Sequence, residues 1–173
     1  MTVPELSRKV GLHDLGSRPV THKIEASEAE RAALAVRFDL ARLDKLTAEF
    51  AVKRDAAGVR VTGRVTGAAV QACVVSGADV AARIDEAVDV LAAPLDAAPD
   101  EEIELGEADL DVVPLDGDSV DLGEIAAESF GLALEPFPRA PGAVLRAPSV
   151  TVLTETEATA ARNPFRVLKG GKD

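Results

Sequence analysis

The sequence predicts an α+β domain: an antiparallel sheet of five or six strands, with closure into a partial barrel left open, two helices and a flexible C-terminal tail. Three observations predict it. Apolar residues alternate with polar ones over most of residues 46–91, the period of a half-buried strand. Two short segments open on helix-capping patterns, at Ser27 and Asp121. The strand-like runs are joined by short turns, which favours an antiparallel meander. The expected boundaries are a lead-in at 1–17, a domain at 18–142 and a tail at 143–173.

The lead-in is mixed in charge and broken by Gly11 and Gly16. Val20, His22 and Ile24 alternate with Thr21 and Lys23, a first strand. Ser27 with Glu30 three residues on forms a capping box, and the helix is expected over Glu28–Arg37 with Ala29, Ala33 and Val36 inward. Leu46, Ala48, Phe50 and Val52 then mark a strand. Asp55-Ala56-Ala57-Gly58 turns the chain, and Val59, Val61 and Val65 alternate with Arg60, Thr62 and Arg64 to complete a hairpin. A further strand is expected at about Val70–Val75, a turn at Ser76–Asp79, and another strand from Val80 to about Leu91.

Residues 92–109 read as an exposed loop with a short strand at Ile103–Leu105, because Pro94 and Pro99 interrupt pairing. Leu110, Val112 and Leu115 form another strand, which Pro114 confines to a sheet edge. After Asp116-Gly117-Asp118, Asp121 caps a second helix. Its expected inner face is Leu122, Ile125, Ala126, Ser129, Leu132 and Ala133, with Val120 stapled to Ile125. Pro136 ends it, and residues 136–142 are extended.

Composition excludes several functions. No apolar run reaches the roughly 20 residues that span a bilayer, and residues 1–15 show no secretory apolar core. The single cysteine, Cys73, rules out an internal disulfide and fits a reducing compartment, so the cytoplasm is the expected location. There is no nucleophile elbow and no phosphate-binding glycine loop. Cys73 has no evident activating base, and His13 and His22 are read as a lead-in residue and a packed strand residue. Asp116, Asp118, Asp121 and Glu124 miss calcium-loop spacing and are explained by a turn and a helix cap. No catalytic residue, metal or cofactor is expected.

Charge is the informative feature. Between Arg83 and Arg139, 55 residues hold 17 carboxylates and no lysine, arginine or histidine. The net charge of −11 divides as +3 over 1–83, −17 over 84–138 and +3 over 139–173. Ordinary surfaces mix signs, so this field points to a basic polypeptide partner. The contact residues expected are Asp100, Glu101, Glu102, Glu104, Asp109, Asp111, Asp116 and Asp118. Base stacking would need exposed aromatics. Phe38, Phe50 and Phe130 fall at core positions, leaving Phe137 and Phe165. The alternative is direct RNA contact through Arg60, Arg64, Arg139, Arg166 and Lys169, helped by Arg42, Lys45, Lys53 and Arg54.

The order of motifs carries a resemblance. Cys73-Val74-Val75-Ser76-Gly77 precedes an acidic segment containing Asp109-Leu110-Asp111-Val112. Val120-Asp121-Leu122-Gly123-Glu124, a helix, Leu132-Ala133-Leu134-Glu135-Pro136-Phe137-Pro138-Arg139 and Asn163-Pro164-Phe165 follow. Together they resemble the YceD-like family, the large ribosomal RNA subunit accumulation proteins, in particular its alphaproteobacterial branch. Cys73, Asp121, Pro138 and Phe165 are the positions matched. The resemblance implies a non-enzymatic ribosome biogenesis factor that promotes accumulation or maturation of large-subunit ribosomal RNA. It also implies a place on the pre-large-subunit particle, and a small zinc-ribbon protein of that subunit as a partner. Many relatives carry further cysteines after the C-terminal helix. Here Pro138-Arg139-Ala140-Pro141-Gly142 has none, which removes a metal role from the expectation.

Overall fold

A computed structural model describes residues 4–55, 58–93, 111–115 and 117–144. Among the described residues, seven strands and two α-helices follow one another as β1 (Lys9–Gly11), β2 (Val20–Glu25), α1 (Glu28–Arg37), β3 (Arg42–Asp55), β4 (Gly58–Ala72), β5 (Asp79–Ala93), β6 (Asp111–Pro114), β7 (Ser119–Asp121) and α2 (Leu122–Leu132), with a 3-10 turn at Leu12–Asp14. The main sheet runs β2-β3-β4-β5-β6 and is open; β1 and β7 pair separately. The α+β class, the five strands and the two helices agree with the sequence. The expected short strand at 103–105 and the flexible tail fall outside the described residues.

The sheet is mixed rather than wholly antiparallel. β2 to β5 pair antiparallel, but β6 lies parallel to β5, with Val90 opposite Asp111 and Ala93 opposite Pro114. Parallel neighbours need a connection of about a dozen residues or more, which the long stretch between Ala93 and Asp111 supplies. Pro114 does sit on an edge strand.

β4 merges two strands that the sequence divided. It continues for 15 residues without a break, so the hairpin arm and the strand expected at Val70–Val75 are one element ending at Ala72. Gly63 and Gly67 along it make room for close neighbours, the Glu49 carbonyl and the Phe50 ring at Gly63 and the Phe130 ring at Gly67. A Cβ on Gly67 would lie 2.5 Å from Phe130 Cε2, and one on Gly63 would lie 2.9 Å from Phe50 Cδ1. Phe130 can therefore lie directly on the strand.

Both helices start where expected. Ser27 and Glu30 make the full capping box, and Asp121 caps α2 by accepting from the Gly123 and Glu124 N–H groups. Their buried faces differ from expectation. In α1 the buried residue is Leu34, backed by Phe38 one turn on, while Val36 is 83% exposed. Leu and Phe at i, i+4 offer more apolar area than Ala29, Ala33 and Val36. In α2 the buried set is Leu122, Ile125, Ala126, Ala127 and Phe130, and Leu132 is 88% exposed. Phe130 outcompetes Leu132, which lies about 200° further round the helix.

α1 packs on β3, and α2 packs on β3, β4 and β5 and touches β1. Between them lies a core built on Phe50, Phe130, Leu34, Leu46, Leu122 and the valines at 52, 59, 61 and 65. Phe38 and Phe130 meet at 6.1 Å between ring centroids, tilted 56°. The N-terminal segment joins this core: Leu6 is fully buried and Leu15 nearly so. The described residues up to Ala143 form one compact unit.

Candidate functional site

The outward face of the sheet carries Arg60 and Arg64, placed there by strand alternation. Their guanidinium groups are already engaged. Arg60 donates through Nε and Nη2 to both oxygens of Asp89, at 2.9 and 2.8 Å. Arg64 Nη1 donates to Asp85 Oδ1 at 2.5 Å. The Arg60 hydrogen bonds hold the Asp89 carboxyl below the usual carboxylate range, against a smaller effect of burial. Lys23 pairs with Glu49 at 3.3 Å and Arg42 with Asp44 at 3.0 Å. This face is a lattice of both signs rather than a basic platform, and a phosphate would have to displace a bound carboxylate. Lys45, Lys53 and Arg54 lie on β3 of the same sheet.

Of the acidic residues expected to bind a partner, Asp100, Glu101, Glu102, Glu104, Asp109 and Asp116 lie outside the described residues. Asp111 opens β6, and Asp118 is exposed in the turn before β7. Asp121 is structural. Besides capping α2, its carboxylate accepts from Ser7 Oγ at 2.5 Å and from the Arg8 N–H at 2.7 Å, latching the N-terminal segment to the helix start. Among the described residues no group of three or more His, Cys, Asp or Glu side chains is arranged to hold a metal.

Cys73 and Pro138 are brought together. Val74 N–H donates to Pro138 O at 2.9 Å, and Ala140 N–H donates to Cys73 Sγ at 3.2 Å. The turn is closed by Gly77 N–H on Cys73 O at 2.8 Å, with Gly77 at φ +71°. The Ala140 N–H, then the Ser76 hydroxyl and the Val75 and Ser76 N–H groups, pull the Cys73 thiol down to about 6, against a smaller effect of burial. Cys73 is 3% exposed and lies just past β4, which ends at Ala72, rather than inside the strand expected at Val70–Val75. Arg139 is exposed beside it; Phe165, Arg166 and Lys169 lie outside the described residues.

Next to this junction is a groove of about 540 Å³, bounded by Phe38 and Asp39, Val74, the end of α2 and residues 134–138. Gln71 lines it and is 9% exposed. Its Nε2 donates to Glu135 O at 2.9 Å, whereas its buried Oε1 has no donor among the described residues. Leu132 and Val74 border the groove, Val74 being 53% exposed. Asp39 stands at φ +51° where the chain leaves α1. Of these residues, sequence reasoning singled out Pro138 alone, as a position matched by the family resemblance. The one available signal was a lone amide, Gln71, in an otherwise apolar run from Ala68 to Val75.

The model of a family described as YceD, large ribosomal RNA subunit accumulation protein, matches residues 61–170, more than half of the chain. The description points to a role in accumulation of the RNA of the large ribosomal subunit. No curated protein matches the chain, and no solved structure does.

Proposed function

Because the chain belongs to the YceD family, we propose that it is a non-enzymatic factor in large-subunit biogenesis. It acts in the cytoplasm by binding a basic protein of that subunit. The observation that carries the reading is the neutralisation of the sheet face. Arg60 and Arg64, the strongest candidates for RNA contact, are held by Asp89 and Asp85, while the chain as a whole carries −11. An acidic protein whose sheet-face arginines Arg60 and Arg64 are internally paired attracts a basic polypeptide and repels phosphate. It would shield a basic ribosomal protein from non-specific RNA and release it to the assembling particle, with association accelerated at low salt.

The test has two arms. Depleting the protein should lower the amount of large-subunit ribosomal RNA relative to small-subunit RNA; unchanged levels would remove the biogenesis role. The immobilised chain should retain a basic large-subunit protein in a salt-sensitive manner, and replacing Asp111, Asp116 and Asp118 with lysine should weaken that retention. The competing reading, direct RNA binding, would instead give a salt slope of RNA affinity that flattens in an Arg60→Ala, Arg64→Ala double variant.

A further inference from the structure

We propose that the groove at the end of α2 is a docking site for a segment of a basic polypeptide that presents an apolar side chain next to a lysine or arginine. The inference deepens the reading above and rests on it.

Three independent features ask for such an occupant. The first is apolar. Leu132 is 88% exposed on the last turn of α2, and Val74, 53% exposed, lines the same groove. Phe137 stands exposed between two lining prolines. Apolar side chains gathered at a concave surface mark a contact. The second is a missing donor. Gln71 is nine-tenths buried, its Nε2 is satisfied by Glu135 O, and its Oε1 accepts from nothing among the described residues. A buried acceptor without a donor is costly, and Gln71 is among the groove's lining residues, so a side-chain rotation on docking would bring the oxygen to a peptide N–H or a lysine ammonium.

The third feature is charge. Asp39 and Glu135 are the ionisable residues lining the groove, and among the described residues neither forms an ion pair; no lysine or arginine lines it. A nucleic-acid phosphate would meet two carboxylates and an acceptor oxygen there. A second copy of this chain carries −11 overall, and its basic segment at 139–173, +3, is the one part that could compete; the crosslink below distinguishes it. A basic segment matches all three features. The groove volume of about 540 Å³ has room for an apolar anchor and one neighbouring side chain.

The experiment uses the full chain, immobilised, with the total protein fraction extracted from purified large ribosomal subunits as the probe. A photoreactive benzoylphenylalanine replaces Leu132, and the crosslinked segment is sequenced by mass spectrometry. Retention is then measured for Leu132→Asp and Gln71→Leu. Leu132 projects from the surface, so Leu132→Asp leaves the thermal transition where it was. Gln71→Leu removes the orphaned oxygen and should leave that transition unchanged or raise it.

The expected crosslink is to a basic protein, in a segment with lysine or arginine next to an apolar residue. Retention should fall about tenfold for Leu132→Asp, the loss typical of an anchor residue, and several-fold for Gln71→Leu. A crosslink to a second copy of this chain, or to a segment without basic residues, would overturn the proposal. So would wild-type retention by both folded variants, which would leave the basic-partner reading standing with its contact elsewhere. Failure of the unmodified chain to retain any basic protein would remove both.

Discussion

Asp39 occupies a left-handed backbone position, φ +51°, just past the end of α1. Leu40 N–H closes back on Ala35 O and Phe38 N–H on Leu34 O, the hydrogen bonding of a helix stop that normally uses glycine. Asp39→Gly is expected to stabilise the protein by about 1 kcal/mol in chemical denaturation, since a Cβ is disfavoured there. If Asp39 is kept for the groove, the same variant will bind the basic partner less well. Cys73 gives a second expectation. Its thiolate absorbance should titrate near about 6, well below the ~8.5 of a free thiol, yet alkylation at neutral pH should be slow because the sulfur is covered. Rapid alkylation would mean that the Ala140 loop opens readily. Neither property was legible in the sequence, because both arise from N–H groups and a backbone sign that depend on tertiary contact. Asp121 was partly legible. Its capping spacing is local, but its bonds to Ser7 and Arg8 join residues more than a hundred positions apart.

The helices divide the same way between local and distant information. The start of α1 is written in Ser27 and Glu30, whose reciprocal bonds are present. Ser27→Ala should cost about 1 kcal/mol in thermal or denaturant unfolding. Glu30 is held down at about 2 from an ordinary 4.5, first by the Arg8 guanidinium and then by Ser27, against burial. A carboxylate depressed in the folded state contributes stability that is fully present above about 4.5 and is lost as pH falls through about 2. Arg8→Ala should raise the Glu30 titration midpoint, read by carboxyl NMR, and move acid unfolding to higher pH. The buried face of α2 was legible in its first half, at Leu122, Ile125 and Ala126; that of α1 was not, because Ala29, Ala33 and Val36 satisfy an apolar pattern as well as Leu34 and Phe38 do. Side-chain volume decided it. β4 was misdivided for a related reason: what Gly63 and Gly67 accommodate, the Glu49 carbonyl and the Phe130 ring, comes from other elements of the fold.

At the scale of the molecule, the segment expected as a lead-in is part of the core. Leu6 is fully buried, and the Arg37 guanidinium joins Glu5 at 3.0 Å and Glu124 at 2.7 Å, tying the N-terminal segment to both helices. A Cβ on Gly123 would lie 2.6 Å from Leu6 O, against backbone that cannot easily give way. Gly123→Ala should therefore destabilise by about 1–3 kcal/mol, the range for overpacking. Deleting residues 1–15 should lower the unfolding temperature sharply. A small effect from either change would show the segment to be weakly docked. The meander was legible from alternation and turns. The parallel edge strand and the β1–β7 pair were not, since three- and four-residue strands leave almost no periodic signal.

The latch between Ser7 and Asp121 also sets a clock on the nascent chain. Its two halves are 114 residues apart, and at roughly 5–20 residues per second the first waits on the order of ten seconds for the second. Throughout that interval Leu6 lacks α2, and the amino-terminal segment has only its α1 contacts, Arg8 with Glu30 and Glu5 with Arg37, to hold it. An arrest-peptide series should register the pulling force of final folding only after α2 has cleared the exit tunnel. A force peak at lengths ending near β5 would instead mean that the sheet folds without its N-terminal cover.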